Sequence, residues 1–361
     1  MRLFVNALHT QTGGGKAYLA HLLAALAAHA PGWNVRVLLA NGVSVAVPPG
    51  VEVVRVRVPS PTVVKLLAEQ IVVPVLARLW RADVTLCNAN YVPFLAPRPV
   101  PILHSTTRAG QWARGAWMRV YWPVLRAVTC LSVHRAAAVA TVSPALAAEF
   151  GAKNAVWAPP GAAPAPAAEV RQPGLVLAVG DVYPHKNYPA LVAAFARVAA
   201  THPAAELCLV GRNVDPVATA ALDAAVQNAG LGARVRRTGA VPHEAVQSLM
   251  ARCGVYVSVS RAESFSMTTL EALAAGAPCV LPDVPFQREV AGTAAHFVAN
   301  PEAPGFEPRL AAALTHLMDT PDDAAALTAA GRVRAAPFTW ARTAAAVADA
   351  VTRAAKKSRP A

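Results

Sequence analysis

The sequence predicts an α/β protein made of two doubly wound parallel sheets. Three observations carry this. Short apolar, β-branched runs alternate with helical stretches of about ten or more residues, the pattern of βαβ units. The runs are nearly continuous in Val, Ile and Leu, as in sheets covered on both faces. A stretch rich in Pro, Ala and Gly, "APPGAAPAPAAEVRQPG" at 158–174, interrupts the pattern near the middle and reads as an interdomain linker, too rich in breakers for a strand or a long helix.

Taken in order, the strand candidates of the first half are "LFVNAL", "VRVLLA", "VEVVRVRV", "VTLC", "VPILH" and "AVATVS". Those of the second half are "LVLAVG", "ELCLVG", "RVRRTG", "VYVSVS", "PCVLPD" and "AHFVA". A chain of 361 residues exceeds most single cores, so two domains are expected. We place Rossmann-like domains at 1–165 and 166–337, facing a central cleft. A final helix, about Trp340 to Lys357 within 338–361, is expected to pack back on the first domain, and the tail "KKSRPA" to fray.

Hydrophobic residues make up 55% and charged residues 15%, which excludes a disordered chain. No run approaches the roughly 20 apolar residues of a spanning helix. The start, "MRLFVNALHTQTGGG", has too short an apolar core for a signal peptide. The five cysteines are scattered without a CxxC, the pattern of reduced thiols in the cytoplasm. Net charge is +13 and uneven: up to Glu169, 15 Lys and Arg face 5 Asp and Glu. A basic first half suits an anionic partner: membrane lipid, a phosphorylated acceptor or nucleic acid.

Several motifs stand at strand ends. Gly13, Gly14 and Gly15 follow the first strand and precede a helix, so they form either an anion-cradling loop or a plain turn. Thr10 and Ala17 rule out a P-loop, and Tyr18 rules out a GxGxxG fingerprint. His104 ends the strand "VPILH" and is either structural or cleft-facing. In 108–135, five arginines and three tryptophans occur without an acid. Trp117, Val120, Tyr121, Val124, Leu125 and Val128 form one helical stripe there. The segment is either a helix packed on its sheet or a docking face for an anionic membrane surface. No nucleic-acid module is recognisable, so no nucleic-acid partner is expected. Lys186, at the strand-to-helix turn of "LAVGDVYPHKN", can neutralise phosphate.

The segment "VYVSVSRAESFSMTTLEALAAGAPCVLPD" carries the strongest signal. A buried strand ends at Ser260, and Glu263 lies in the following loop. Ser266 is a plausible N-cap whose oxygen takes free backbone N–H groups. The helix runs from about Met267 to Ala275 and stops at Gly276 and Pro278. Glu271 lies one turn inside it. Both carboxylates can then line one ligand beside the positive end of the helix. No Asp-x-Asp pair and no His/Cys cluster has ligand spacing, so neither a bound metal nor a cofactor is expected.

These residues resemble retaining glycosyltransferases of the GT-B fold, family 4 (glycosyl transferases group 1). Glu263 and Glu271 match the family's E-x7-E motif, within "SxxESF" and "LEALAAGAP". "TGAVPHEAVQSLMARCGVYVSVS", "VGDVYPHKNYPALVAAFARV", "TVSPAL" and "VWAPPGA" also match. The similarity is specific over 175–291 and weaker before 140.

The resemblance implies a nucleotide-sugar donor, of UDP or GDP type, in the second domain. Glu271 would bind the ribose and Glu263 would face the donor sugar. Backbone N–H groups from Ser264 and Phe265 through Ser266, Met267 and Thr268 would contact sugar or diphosphate. Lys186 would bind the diphosphate. The Gly13 to Gly15 loop would close on it from the other domain. His104 matches a histidine near the reacting centre; with Lys186 and Glu263 it forms the expected catalytic set. Two positions depart. Asp181 stands where many members carry Arg, so that cation is missing or comes from Arg108 or Arg212. Ser266 replaces a common glycine.

The expected activity is metal-independent, retaining transfer of a hexose to a lipid-linked or polysaccharide acceptor. The expected location is cytoplasmic, peripheral on the inner face of the membrane. The alternatives are a non-catalytic nucleotide-sugar-binding partner in a glycan assembly complex and a sugar-nucleotide epimerase.

Overall fold

The computed structural model describes residues 1–10, 13–58, 62–112, 116–162 and 169–357. The chain forms two compact units. One comprises Met1–Thr107, Gly115–Gly161 and Phe338–Ala361; the other comprises Arg108–Arg114 and Ala162–Pro337.

The first unit runs β1 (Arg2–Asn6), α1 (Gly13–His29), β2 (Asn34–Ala40), β3 (Val51–Val56), α2 (Thr62–Leu79), β4 (Val84–Cys87), β5 (Pro99–Leu103), α3 (Ala116–Arg135), β6 (Ala140–Thr141), α4 (Pro144–Glu149) and β7 (Val156–Trp157). Its strand order is β3-β2-β1-β4-β5-β6-β7, all pairs parallel. The order reverses between β1 and β4, both interior strands, which opens a crevice at their carboxyl ends. Phe4, Leu38, Val73 and Ala77 form part of its core.

The second unit runs β8 (Gln172–Val179), α5 (Tyr188–Thr201), β9 (Glu206–Val210), α6 (Pro216–Asn228), β10 (Val235–Gly239), α7 (His243–Arg252), β11 (Cys253–Val257), α8 (Met267–Ala275), β12 (Cys279–Pro282), α9 (Pro285–Ala291), β13 (His296–Val298), α10 (Phe306–Asp319) and α11 (Pro321–Ala335). The order is β10-β9-β8-β11-β12-β13, again parallel, with the reversal between β8 and β11. Gly254 lets β11 pass against the carbonyls of Gln172 and Pro173, where any Cβ would strike backbone.

The last helix, α12 (Trp340–Lys356), belongs to the first unit. Thr339 caps it through the Arg342 N–H, as a threonine before a helix should. Its buried face, with Ala344, Val347 and Val351, lies on α1. Trp340 stacks on His21 with ring centroids 4.9 Å apart and meets Tyr18 edge-on at 5.4 Å.

All twelve strand candidates are strands; the two-residue β7 was not among them. The linker reading needs a correction. β8 begins at Gln172, so the last three residues of the 158–174 stretch are strand, because β11 pairs with β8 from Gln172 onward. Residues 163–168, with the expected boundary at 165/166, and the tail from 358 lie outside the described residues. Among the described residues, no helix is long and apolar enough to cross a membrane.

Candidate active site

The chemistry-bearing residues of the second unit gather at the reversal between β8 and β11. After β8, Gly180 takes φ +152°, a value that L side chains rarely adopt, and its carbonyl accepts a 2.7 Å hydrogen bond from the Tyr188 hydroxyl. A side chain at 180 would also press on Lys186 Nζ, at 3.1 Å. A short 3-10 turn, Pro184–Lys186, then leads through Asn187, at φ +55°, into α5. After β11, the Arg261 N–H donates to the His185 carbonyl at 2.8 Å and ties the two loops together. Lys186 Nζ therefore meets Glu263 Oε1 at 3.0 Å, with only 16% and 12% of the two side chains exposed.

Burial opposes the charged form of Glu263. The Lys186 ammonium, with hydrogen bonds from Ser260 and Lys186, outweighs it and holds the carboxyl below its usual range. Burial and the neighbouring ammonium push His185 down to about 4, so its imidazole is neutral at pH 7. Glu271 behaves oppositely: burial raises its pKa, against a smaller contribution from His243. Its carboxyl is half-buried one turn into α8.

α8 spans Met267–Ala275 as expected and ends on Gly276 at φ +79°. The Ser266 capping expectation fails in detail. Ser266 holds the N-cap position, but its fully buried hydroxyl pairs with Thr269 Oγ1 at 2.9 Å and caps no N–H. Its ψ of 83° turns the side chain off the capping direction. Thr268 Oγ1 accepts from the Tyr256 hydroxyl at 2.9 Å, which anchors the first turn to β11. Phe265 is buried, and Ser264 and Met267 are half-buried.

The departure at Asp181 has a structural partner. Arg212 donates to its carboxylate from backbone N, Nε and Nη2, the last at 2.5 Å. Burial works against the charged Asp181, and the Arg212 bonds overcome it and lower its pKa. Arg212 is thus committed to Asp181. The other candidate cation, Arg108, is exposed in the 3-10 turn Arg108–Trp112.

In the first unit, Gly13, Gly14 and Gly15 are not a loop before the helix but its first turn. His104 follows β5. Its backbone N–H donates to Asn90 Oδ1 at 2.9 Å, and Nδ1 lies 2.9 Å from the Ile102 carbonyl, which fixes the Nδ1–H tautomer. Burial lowers its pKa, against a smaller opposing effect of that carbonyl. The loop beyond is clamped from two sides: Asn90 Nδ2 donates to the Ser105 carbonyl at 2.5 Å, and Glu149 accepts from Thr106 Oγ1 at 2.7 Å and Thr107 N at 2.9 Å.

One cluster had no sequence signal. Glu69 of α2, its side chain fully buried, accepts from Asn6 Nδ2 and lies 2.5 Å from His9 Nε2. Buried Lys65 and Tyr91 adjoin it. A single glutamate within an apolar helix gives no warning that it sits at a strand reversal.

Two doubly wound parallel sheets are the architecture of the GT-B class of fold. Residues 164–334, a little under half of the chain, match the family Glycosyl transferases group 1. The chain is similar in structure to sucrose-phosphate synthase from Thermosynechococcus elongatus (TM-score 0.78, 20% identity, 97% of this chain and 98% of that one). It is also similar to the Anabaena HepE protein in complex with UDP and glucose (TM-score 0.74, 18% identity, 98% and 99%). In sequence it is 34% identical over 112 residues to mannosylfructose-phosphate synthase of Agrobacterium fabrum. That match spans 30% of this chain and about a quarter of the relative, at 25%. The fold is therefore that of the GT-B glycosyltransferases, and residues 164–334 carry the match to group 1.

Proposed function

We propose that the protein is a retaining glycosyltransferase that moves a hexose from a UDP- or GDP-sugar to a lipid-linked or polysaccharide acceptor. The observation that carries this is the Lys186–Glu263 pair at the strand reversal, beside the start of α8. Scission of the C1–O bond leaves charge on the diphosphate. The Lys186 ammonium and the positive end of α8 stabilise that charge in this reading without a bound metal. Lys186 then exchanges Glu263 for diphosphate, and Glu263 is released to the sugar hydroxyls. Glu271 takes the ribose hydroxyls. In the first unit, His104 and the Gly13–Gly15 turn are assigned to substrate contacts. The protein works at the inner face of the membrane, where α3 exposes Trp117, Val120 and Val124.

The test is a thermal-shift screen of UDP-, GDP- and dTDP-sugars, followed by NMR of the product anomer. Glu271→Ala is expected to weaken binding of the stabilising donor about tenfold or more, since it leaves a ribose without its half-buried acceptor. Unchanged donor affinity in that variant sinks the assignment. An inverted product sinks retention.

A further inference from the structure

Exposed large apolar side chains are concentrated in one part of the molecule. Of sixteen among the described residues, twelve lie between Val64 and Leu131. α2 holds five of them: Val64, Leu67, Ile71, Val75 and Leu79, each 45 to 77% exposed. Their spacing of three and four places them on one face. The opposite face, with Val73 and Ala77, is already in the core. A helix that covers a sheet is ordinarily polar outward; α2 is apolar on both sides.

The surface continues beyond α2. Gln70 Nε2 donates to the Val92 carbonyl at 3.3 Å, and the Phe94 N–H donates to Gln70 Oε1 at 3.0 Å. The Val92 N–H donates to Ser132 Oγ of α3 at 3.2 Å. The 92–95 loop, with exposed Phe94 and Leu95, is thus bonded to both helices. The crossings β3 to β4 and β5 to β6 run in the same direction across the sheet, so right-handed connections put α2 and α3 on the same face. α3 adds Trp117, Val120, Val124 and Leu131.

Charge selects the occupant. From 84 to 148 the sequence has six arginines and no Asp or Glu. On α3, Arg119, Arg126 and Arg135 are exposed, and α2 adds exposed Arg78. The one glutamate of α2, Glu69, is buried and paired. A second copy placed symmetrically on this face would oppose arginine to arginine. An acidic phospholipid surface complements both the apolar face and its arginine fringe.

We propose that α2, the 92–95 loop and α3 together form the surface that inserts into the interface of an acidic phospholipid bilayer, with α2 as its principal apolar element. This deepens, and for its biological purpose rests on, the membrane-face reading above, which invoked α3 alone. The binding is measurable without any glycosyl transfer.

Cosedimentation of the full chain with vesicles of phosphatidylglycerol and phosphatidylcholine, without nucleotide-sugar, tests it. The wild type is expected to pellet with the mixed vesicles and not with pure phosphatidylcholine. Leu67→Ser with Ile71→Ser should weaken partitioning about tenfold or more, since both side chains are solvent-exposed and their loss leaves the core intact. Arg119→Gln with Arg135→Gln should weaken it at low salt and flatten its salt dependence. Leu79→Ser, at the last turn, is a second α2 variant, and unchanged melting curves verify folding. Wild-type protein left in the supernatant overturns the proposal, as do α2 variants that pellet like wild type. A concentration-dependent dimer lost in the α2 variants, with vesicle binding unchanged, assigns the face to a second copy and overturns it too. Vesicle binding with no donor stabilised in the thermal-shift screen supports the surface while removing the glycosyltransferase reading.

Discussion

Each unit buries a glutamate near the reversal of its sheet, and the two are satisfied differently. Glu263 stands on a loop after β11 and faces Lys186 on another loop. Glu69 stands in the middle of α2 and is held by Asn6 and His9, with Lys65 close by. The loop-borne pair keeps 12 to 16% exposure and can trade its partner for a ligand. The helix-borne carboxylate is fully enclosed, and its removal leaves donors stranded in the core. Similar chemistry at equivalent places is thus left partly open in one unit and sealed in the other.

That contrast is open to attack at several points. Glu69→Ala should cost the most, about 3–5 kcal/mol, because the Asn6 amide and His9 lose their buried acceptor and Lys65 its neighbouring charge. Urea denaturation of the purified variant measures it; a loss under about 1 kcal/mol would mean that the cluster is loosely solvated and the contrast false. Lys186→Ala should show the reverse profile. Turnover of the stabilising donor falls about 10²–10³-fold, while the fold survives. A variant that unfolds and yet turns over normally would move Lys186 from ligand exchange to cohesion.

The smallest effect is on pH dependence. The folded pKa of His185 is lowered from 6.5 to about 4, so the unfolded chain binds a proton first. Stability attributable to this group is complete above about pH 6.5, falls as pH drops toward 4 and is level below. The expected loss is roughly 1–3 kcal/mol across that window. His185→Gln should flatten this part of the melting-temperature profile. Glu263 adds a loss at lower pH still, as its depressed carboxyl protonates. A His185→Gln profile that overlays the wild type would show that the loop is open to solvent.

The second unit was the more legible one. β9, β11 and β12 are mostly buried apolar runs, and α8 begins and ends where Ser266 and Gly276 suggest. Residues whose placement follows from a strand end plus a fixed loop length, such as Lys186 and Glu263, could be assigned from the linear pattern. Ser266 could not, because the direction of its hydroxyl depends on one backbone angle and on Thr269 packing above it. Arg212 was an open candidate for a free cation. Its engagement by Asp181 needs β8 and β9 to be adjacent, which no local pattern states.

The first unit shows the opposite limit. The stripe on α3 was visible as a helical pattern with two readings, core or surface, because periodicity reports that a face is apolar and not what covers it. The apolar face of α2 was invisible, since a helix apolar on both sides has no polar face to set it off.

By itself the sequence determined the alternation of strands and helices, the two parallel sheets, the loop position of Glu263 and the helical position of Glu271. These rest on local periodicity, turn residues and short connections, whose effects reach only a few residues. The tertiary structure decided which charges meet, which glutamate is sealed in and which apolar face is left uncovered. Those outcomes depend on strand order and on the hand of the crossings, and they bring together residues far apart in the chain.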